Sequence, residues 1–238
     1  MMAEPFRFKQ FSIFQDRCAM KVGTDGVLLG AWTSLGHEPD SILDVGAGTG
    51  LIALQLAQRS PAETIDALEI DGEAYEQCVS NFEASPWADR LFCYHASFGE
   101  FVGEPDEKYD LIVSNPPFYS EEMDSGSPSR DRARQNRSLP FVELIQGVAA
   151  LLSDSGVFSV ILPYWEEDYF LNLAEAHGLH PLRLCRVKGN PGAGFKRSLL
   201  EFGFSLADPI LEELVIETGR HVYSADYIAL TREFYLKM

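Results

Sequence analysis

Short apolar runs recur along the chain, each closed by glycine, proline or another turn residue, and most lead into a stretch whose apolar positions repeat at helical spacing. Ser41 to Val45 reads as a buried strand ending in glycines, and Leu51 to Gln58 as a helix that stops at Ser60-Pro61. Thr64 to Ile70 is a second strand, and Gly72 to Ala84 carries Ala74, Cys78, Val79 and Phe82 at helical spacing until Ser85-Pro86 breaks it. Leu91 to Ala96, Tyr109 to Val113 and Val157 to Leu162 supply three more strands, with helical stretches at Phe141 to Leu152 and Glu166 to His177. This alternation predicts an α/β fold with a mostly parallel, doubly wound sheet. Leu182 to Val187 and Leu199 to Leu206 have only a loop containing Gly189, Gly192 and Gly194 between them, which predicts an antiparallel hairpin at the sheet edge and seven strands in all. A helical tail is expected at about 225–237, and residues 1–37 read as an arm packed in front of a single domain spanning 1–238.

Composition sharpens this picture. With 238 residues, 46% of them apolar and 23% charged, the chain has enough material to bury roughly 70% of its unfolded surface without metals or disulfides. A mean hydropathy of −0.08 excludes a disordered, collagen-like or membrane-spanning protein, and the first thirty residues lack a charged head followed by a long apolar stretch. A cytoplasmic protein is expected. Cys18, Cys78, Cys93 and Cys185 lie far apart, so neither a disulfide framework nor a zinc knuckle is written here. The net charge of −17 argues against nucleic acid on average, but the average hides an uneven distribution. Residues 38–128 carry nineteen acidic groups against three basic ones, whereas Arg130, Arg132, Arg134 and Arg137 face only Asp131, and 176–200 holds five cations and no carboxylate.

Two motifs carry chemistry. Asp44-Val45-Gly46-Ala47-Gly48-Thr49-Gly50 closes the first strand and opens the first helix, where glycines let the backbone approach a ligand without a Cβ in the way. The G-x-G-x-G spacing with an acid before it favours an amino-acid-bearing nucleoside over a dinucleotide, whose pyrophosphate a carboxylate would repel. Asp44 is placed to order a ligand ammonium, directly or through water. Glu69, ending the next strand, stands where a carboxylate accepts hydrogen bonds from ribose hydroxyls. The ligand these groups suit is S-adenosylmethionine. Asn115-Pro116-Pro117-Phe118 follows the fourth strand. Its prolines fix the backbone and leave the Asn115 side chain and the Pro116 carbonyl as two rigid acceptors for an NH₂ group. Phe118 offers an aromatic face for a planar base.

The glycine turn, Glu69 and N-P-P-F together resemble the class I S-adenosylmethionine-dependent N-methyltransferases over residues 41–163. The stretch Cys18 to Gly26, the Ser85-Pro86-Trp87 turn and the tail from Tyr223 to Tyr235 extend the likeness over nearly the whole chain, to the bacterial tRNA1(Val) (adenine-37-N6)-methyltransferase family. The resemblance implies a Rossmann-like class I fold and methylation of N6 of the adenosine 3′ of the anticodon, with Asn115, Pro116, Pro117 and Phe118 as the catalytic turn. It implies that the cofactor lies on Lys21, Thr24, Asp25, Asp44, Gly46, Ala47, Gly48, Gly50, Glu69, Ile70, Ser97, Phe98 and Asn115, with Lys21 to Asp25 closing over its methionine end. It implies S-adenosylhomocysteine as product, no metal and no obligate protein partner. Many relatives end the third strand in an acid that recognises the cofactor adenine; this chain has Ser97 there, whose hydroxyl bonds that edge less strongly.

N-P-P-[YF] alone does not separate adenine N6 from guanine N2, DNA adenine or protein glutamine, all of which present a planar nitrogen to the same acceptors. Four arginines at 130–137, close behind the catalytic turn, suit phosphates and favour RNA over protein. Lys188, Lys196 and Arg197, with Phe195 and the glycines between, suit unpaired nucleotides. A ribosomal RNA base, a protein glutamine and a non-catalytic cofactor-binding scaffold are the remaining alternatives.

Overall fold

A computed structural model describes residues 4–103, 108–117 and 139–238. Two short strands, β1 (Phe6–Arg7) and β2 (Ser12–Ile13), open the chain, and helix α1 (Thr24–Trp32) follows. Five parallel strands come next: β3 (Ser41–Val45), β4 (Thr64–Glu69), β5 (Leu91–His95), β6 (Tyr109–Ser114) and β7 (Leu152–Pro163). Between them lie α2 (Leu51–Arg59), α3 (Gly72–Glu83), α4 (Phe98–Phe101) and α5 (Phe141–Leu151). Helix α6 (Glu167–Ala176) leads into β8 (His180–Lys188), β9 (Phe195–Gly203) and β10 (Ile210–Val215), a small ribbon of β11 (Glu217–Gly219) and β12 (Val222–Tyr223), and finally α7 (Ala225–Thr231).

The main sheet runs β10-β8-β9-β7-β6-β3-β4-β5, and only β9 runs against the others. Its interior strands are apolar on both faces because helices cover both. One core joins Ile42, Ile65 and Leu111 to α1, α2 and α3; the other joins Leu43, Ile112 and Phe158 to α4, α5 and α6. Each fully buried leucine or isoleucine here contributes about 1.5–3 kcal/mol relative to exposure.

Three expectations need correction. The sheet has eight strands, because β10 pairs in parallel with β8 and covers the predicted edge hairpin. Its carboxylates hold it there: Glu212 accepts from Trp32 Nε1 at 3.0 Å and pairs with Arg183 at 2.9 Å, and Glu213 pairs with Lys188 at 2.9 Å. The second half of the predicted arm is a core helix, since Gly26 to Trp32 of α1 are all buried. The C-terminal helix stops at Thr231, because the backbone turns to seat Phe234 in the core, leaving it only 1% exposed.

The arm itself is fastened by two buried amides of α3. Asn81 accepts from Phe14 N–H and donates to the carbonyls of Phe14 and Thr49, each at 2.9 Å, and Gln77 accepts from Arg17 N–H at 2.9 Å. The glycine turn and the arm thus share one anchor.

Gly50, the residue before α2, sits at φ +79°, where a Cβ would lie 2.5 Å from Phe82 Cε1 and 2.9 Å from Cys78 Sγ. Gly50→Ala is expected to lose about 2–4 kcal/mol of stability, from left-handed strain and overpacking together. Urea unfolding checks this, with a lower midpoint at unchanged slope expected.

Candidate active site

β3 and β6 lie side by side with Val45 opposite Ser114, and the Ser114 hydroxyl donates to the Val45 carbonyl at 2.9 Å. The strand order reverses at this pair, with β4 and β5 on one side and β7 on the other, so the chains leaving the two strands diverge and open a crevice. Gly46 to Thr49 forms one wall and Asn115 stands opposite.

The turn is pinned to β4. Gly46 and Ala47 N–H donate to the Leu68 carbonyl at 3.0 and 2.9 Å, and Gly48 N–H donates to Glu69 Oε2 at 2.8 Å. Gly46 and Gly48 have φ of +77° and +57°, and a Cβ on either would project into open space. Glycine therefore keeps the crevice clear as well as relieving strain. Glu69 also accepts from Asp71 N–H at 2.8 Å, which orients its carboxylate and leaves lone pairs for further donors.

Asp44 is placed differently from expectation. Its side chain is fully buried beneath the turn and lines neither cavity described below, because it points to the first turn of α2, where Oδ2 accepts from Ala53 N–H at 3.1 Å. Oδ1 has no partner among the described residues. Burial, with Glu69 adding to it against the Ala53 hydrogen bond, pushes the carboxyl up to about 7. A cationic group seated on the glycine turn would satisfy this charge, so the site fits the amino-acid end of S-adenosylmethionine.

Two cavities meet at the turn. The first, about 370 Å³, is lined by Glu69, Ile70, Ser97, Phe98, Pro116 and Pro117, among others. The second, about 570 Å³, is lined by Lys21, Thr24, Asp25, Ala47 and Arg197, among others. Met20, Gly46, Gly48 and Asn115 line both. The geometry therefore separates a nucleoside-sized space beside Glu69 from a more polar one, with Asn115 at their junction.

Ser97 serves locally as well. It caps α4: its Oγ donates to Glu100 Oε2 at 2.6 Å and accepts from Glu100 N–H at 3.3 Å. The single hydroxyl proton is thus committed, and Ser97 faces the first cavity as an acceptor. Gly50 lines neither cavity and acts by packing.

Arg197 Nε donates to Asp25 Oδ2 at 2.7 Å, linking β9 to α1 across the wall of the second cavity. Lys188 pairs with Glu213 and lies 4.3 Å from the centre of the Phe195 ring, away from both cavities. Lys196 is exposed on β9 and lines neither. Phe118, Arg130, Arg132, Arg134 and Arg137 lie outside the described residues. Leu139 and Glu143 in the first cavity and Trp165 in the second were not foreseen; isolated residues beside a proline or in a helical turn carry no spacing signal. Among the described residues no three His, Cys, Asp or Glu side chains gather to hold a metal, and no helix is long and apolar enough to cross a membrane.

Residues 26–128 match the family model described as methyltransferase small domain. A predicted O-methyltransferase from Agrobacterium tumefaciens superposes with a TM-score of 0.69 at 20% identity, covering 88% of this chain and 96% of that one. The relative from Flavobacterium psychrophilum named tRNA1(Val) (adenine(37)-N6)-methyltransferase is 60% identical over 98% of this chain and all of its own length. A relative of the same name from Christiangramia forsetii is 58% identical over the full length of both. Sheet, glycine turn and strand-end asparagine define a class I methyltransferase, the class that draws its methyl group from S-adenosylmethionine. Within that class the chain belongs to the tRNA1(Val) (adenine(37)-N6)-methyltransferase family.

Because burial raises the folded-state value of Asp44, its ionisation penalises the ligand-free protein increasingly as pH rises from the ordinary 3.8 to about 7. Asp44→Asn is expected to be more stable than the parent above pH 7, by on the order of 2 kcal/mol, and indistinguishable from it near pH 4. The same variant should bind S-adenosylhomocysteine more weakly at pH 8, as calorimetry beside the denaturation series would show.

Proposed function

We propose that the protein transfers the methyl group of S-adenosylmethionine to N6 of adenosine 37 in tRNA1(Val), releasing S-adenosylhomocysteine, without a metal. The observation that carries this reading is the position of Asn115 on the wall of both cavities, between the space beside Glu69 and the space reached by Arg197. The names of relatives at 42–60% identity support the choice of substrate.

The adenine amine is a weak nucleophile because its lone pair is delocalised into the ring. Asn115 Oδ1 and the Pro116 carbonyl accept its two N–H bonds, draw the nitrogen toward tetrahedral geometry and aim the lone pair along the crevice. Pro116 and Pro117 fix φ, so this pair of acceptors is held before the base arrives. When bound, S-adenosylmethionine supplies an electrophilic methyl: the S–CH₃ bond breaks as the N–CH₃ bond forms, and the sulfonium becomes a neutral thioether. The alkylated nitrogen then surrenders a proton to water, so positioning rather than general-base strength supplies the rate. Glu69 receives the ribose hydroxyls, and Lys21, Thr24, Asp25 and Ala47 enclose the methionine end. Phe118 stacks the target base, and Arg130, Arg132, Arg134, Arg137, Lys188, Lys196 and Arg197 meet tRNA phosphates, so binding weakens as salt rises.

Asn115→Ala is expected to reduce methyl transfer at least about a hundredfold while S-adenosylhomocysteine affinity stays within a few-fold of the parent. Labelled methyl transfer to unmodified total tRNA, followed by nucleoside mass spectrometry, measures this. Parental turnover by Asn115→Ala, or label in a release-factor protein instead of tRNA, would overturn the assignment.

A further inference from the structure

Strand β7 ends at Pro163, and a single 3₁₀ turn, Tyr164–Glu166, carries the chain into α6. The residues around Trp165 in this turn are clamped. The Tyr164 ring packs 5.1 Å from Phe195 and 5.7 Å from the Arg186 guanidinium. Arg186 in turn donates three hydrogen bonds, at 2.9, 3.3 and 2.6 Å, to the buried carboxylate of Glu167, which also accepts from Ser198. Trp165 between them is left 62% exposed, and among the described residues no ring or cation packs on its indole. The other two tryptophans differ: Trp32 is buried under Arg183, and the Trp87 ring lies 6.0 Å from Phe11. An open indole on a rigid turn is therefore confined to one place, the wall of the cavity that also holds Asn115 and Arg197.

We propose that Trp165 is a stacking platform for the base of an unpaired nucleotide next to the methylated adenosine. This rests on the RNA reading above. A nucleobase presents a flat π-face of indole size, stacking on it tolerates any base, and only an unpaired nucleotide can offer that face. The cations Lys196 and Arg197 on the neighbouring strand supply charge for the adjoining phosphates, in a chain that is otherwise strongly acidic. The cofactor has less use for the platform: its adenosine belongs beside Glu69, in the cavity that Trp165 does not line, and its methionine end carries charges that suit Lys21 and Asp25. Because the turn is clamped by Tyr164 and Glu167, the stack orders little on binding, which favours affinity.

The full-length parent, Trp165→Ala and Trp165→Phe are compared on three readouts: steady-state methylation of unmodified tRNA, calorimetric binding of S-adenosylhomocysteine without RNA, and quenching of tryptophan fluorescence by an unmodified anticodon stem-loop. Trp165→Ala is expected to raise KM for tRNA roughly tenfold with a smaller change in kcat, and Trp165→Phe to recover part of it. S-adenosylhomocysteine affinity should not move, and the RNA-dependent quench of the parent should vanish in Trp165→Phe. An unchanged KM and a retained quench, in an enzyme whose parent methylates tRNA, would overturn the platform alone. Loss of S-adenosylhomocysteine affinity in Trp165→Ala would reassign the indole to the cofactor and likewise overturn it. A parent that methylates no RNA would overturn the function proposed above, and the platform with it.

Discussion

Val45 pairs with Ser114 across the two central strands, and the hydroxyl of one donates to the carbonyl of the other. That register decides what faces what at the carboxyl end of the sheet. It puts the glycine turn after β3 and the N-P-P turn after β6 at neighbouring exits, where the strand order reverses. A slip of one residue would exchange the faces of every β6 side chain and point Asn115 away from the crevice. The remaining parts refer back to this pair. Glu69 reaches the turn because β4 lies beside β3, and the arm reaches it because Asn81 bonds both Phe14 and Thr49.

Electrostatics at the site follow from burial rather than from the overall charge. Asp44 sits beneath the glycine turn with one oxygen unpartnered among the described residues and its ionisation disfavoured. A cationic ligand on the turn would remove that cost, a form of pre-organisation that couples affinity to stability. The acidic body works against loose association with nucleic acid, so the few cations near the crevice matter more than their number suggests. Among those described, Lys21 and Arg197 line a cavity, and Arg197 does so while paired with Asp25.

The parallel half of the fold was legible because strands covered on both faces read as apolar runs, each ended by glycine, proline or another turn residue. β10 was not, since Ile-Leu-Glu-Glu-Leu-Val behind Asp-Pro shows neither alternation nor an apolar run; its glutamates are explained only by Arg183, Trp32 and Lys188, which arrive from distant elements. α1 escaped for the opposite reason: Gly26 to Trp32 is apolar on every side and carries no helical stripe, because it is buried on every side. At the site, residue type and spacing marked the turn, Asp44, Glu69 and Asn115 as candidates but carried no direction, so the burial of Asp44 beneath the turn is visible only in the structure. Trp165 carried no pattern at all, since its meaning comes from the neighbours that hold it outward.

The proposed methyl transfer depends on Asn115 presenting a single adenine amine to the methyl group in the crevice. The most direct test is mass-spectrometric sequencing of purified, unmodified tRNA1(Val) before and after exposure to the parent enzyme and S-adenosylmethionine. One added methyl on N6 of adenosine 37, and none elsewhere, is the predicted result. A methyl on another nucleotide or at another atom of the base, or unmodified tRNA in the presence of enzyme that binds S-adenosylhomocysteine, would contradict it.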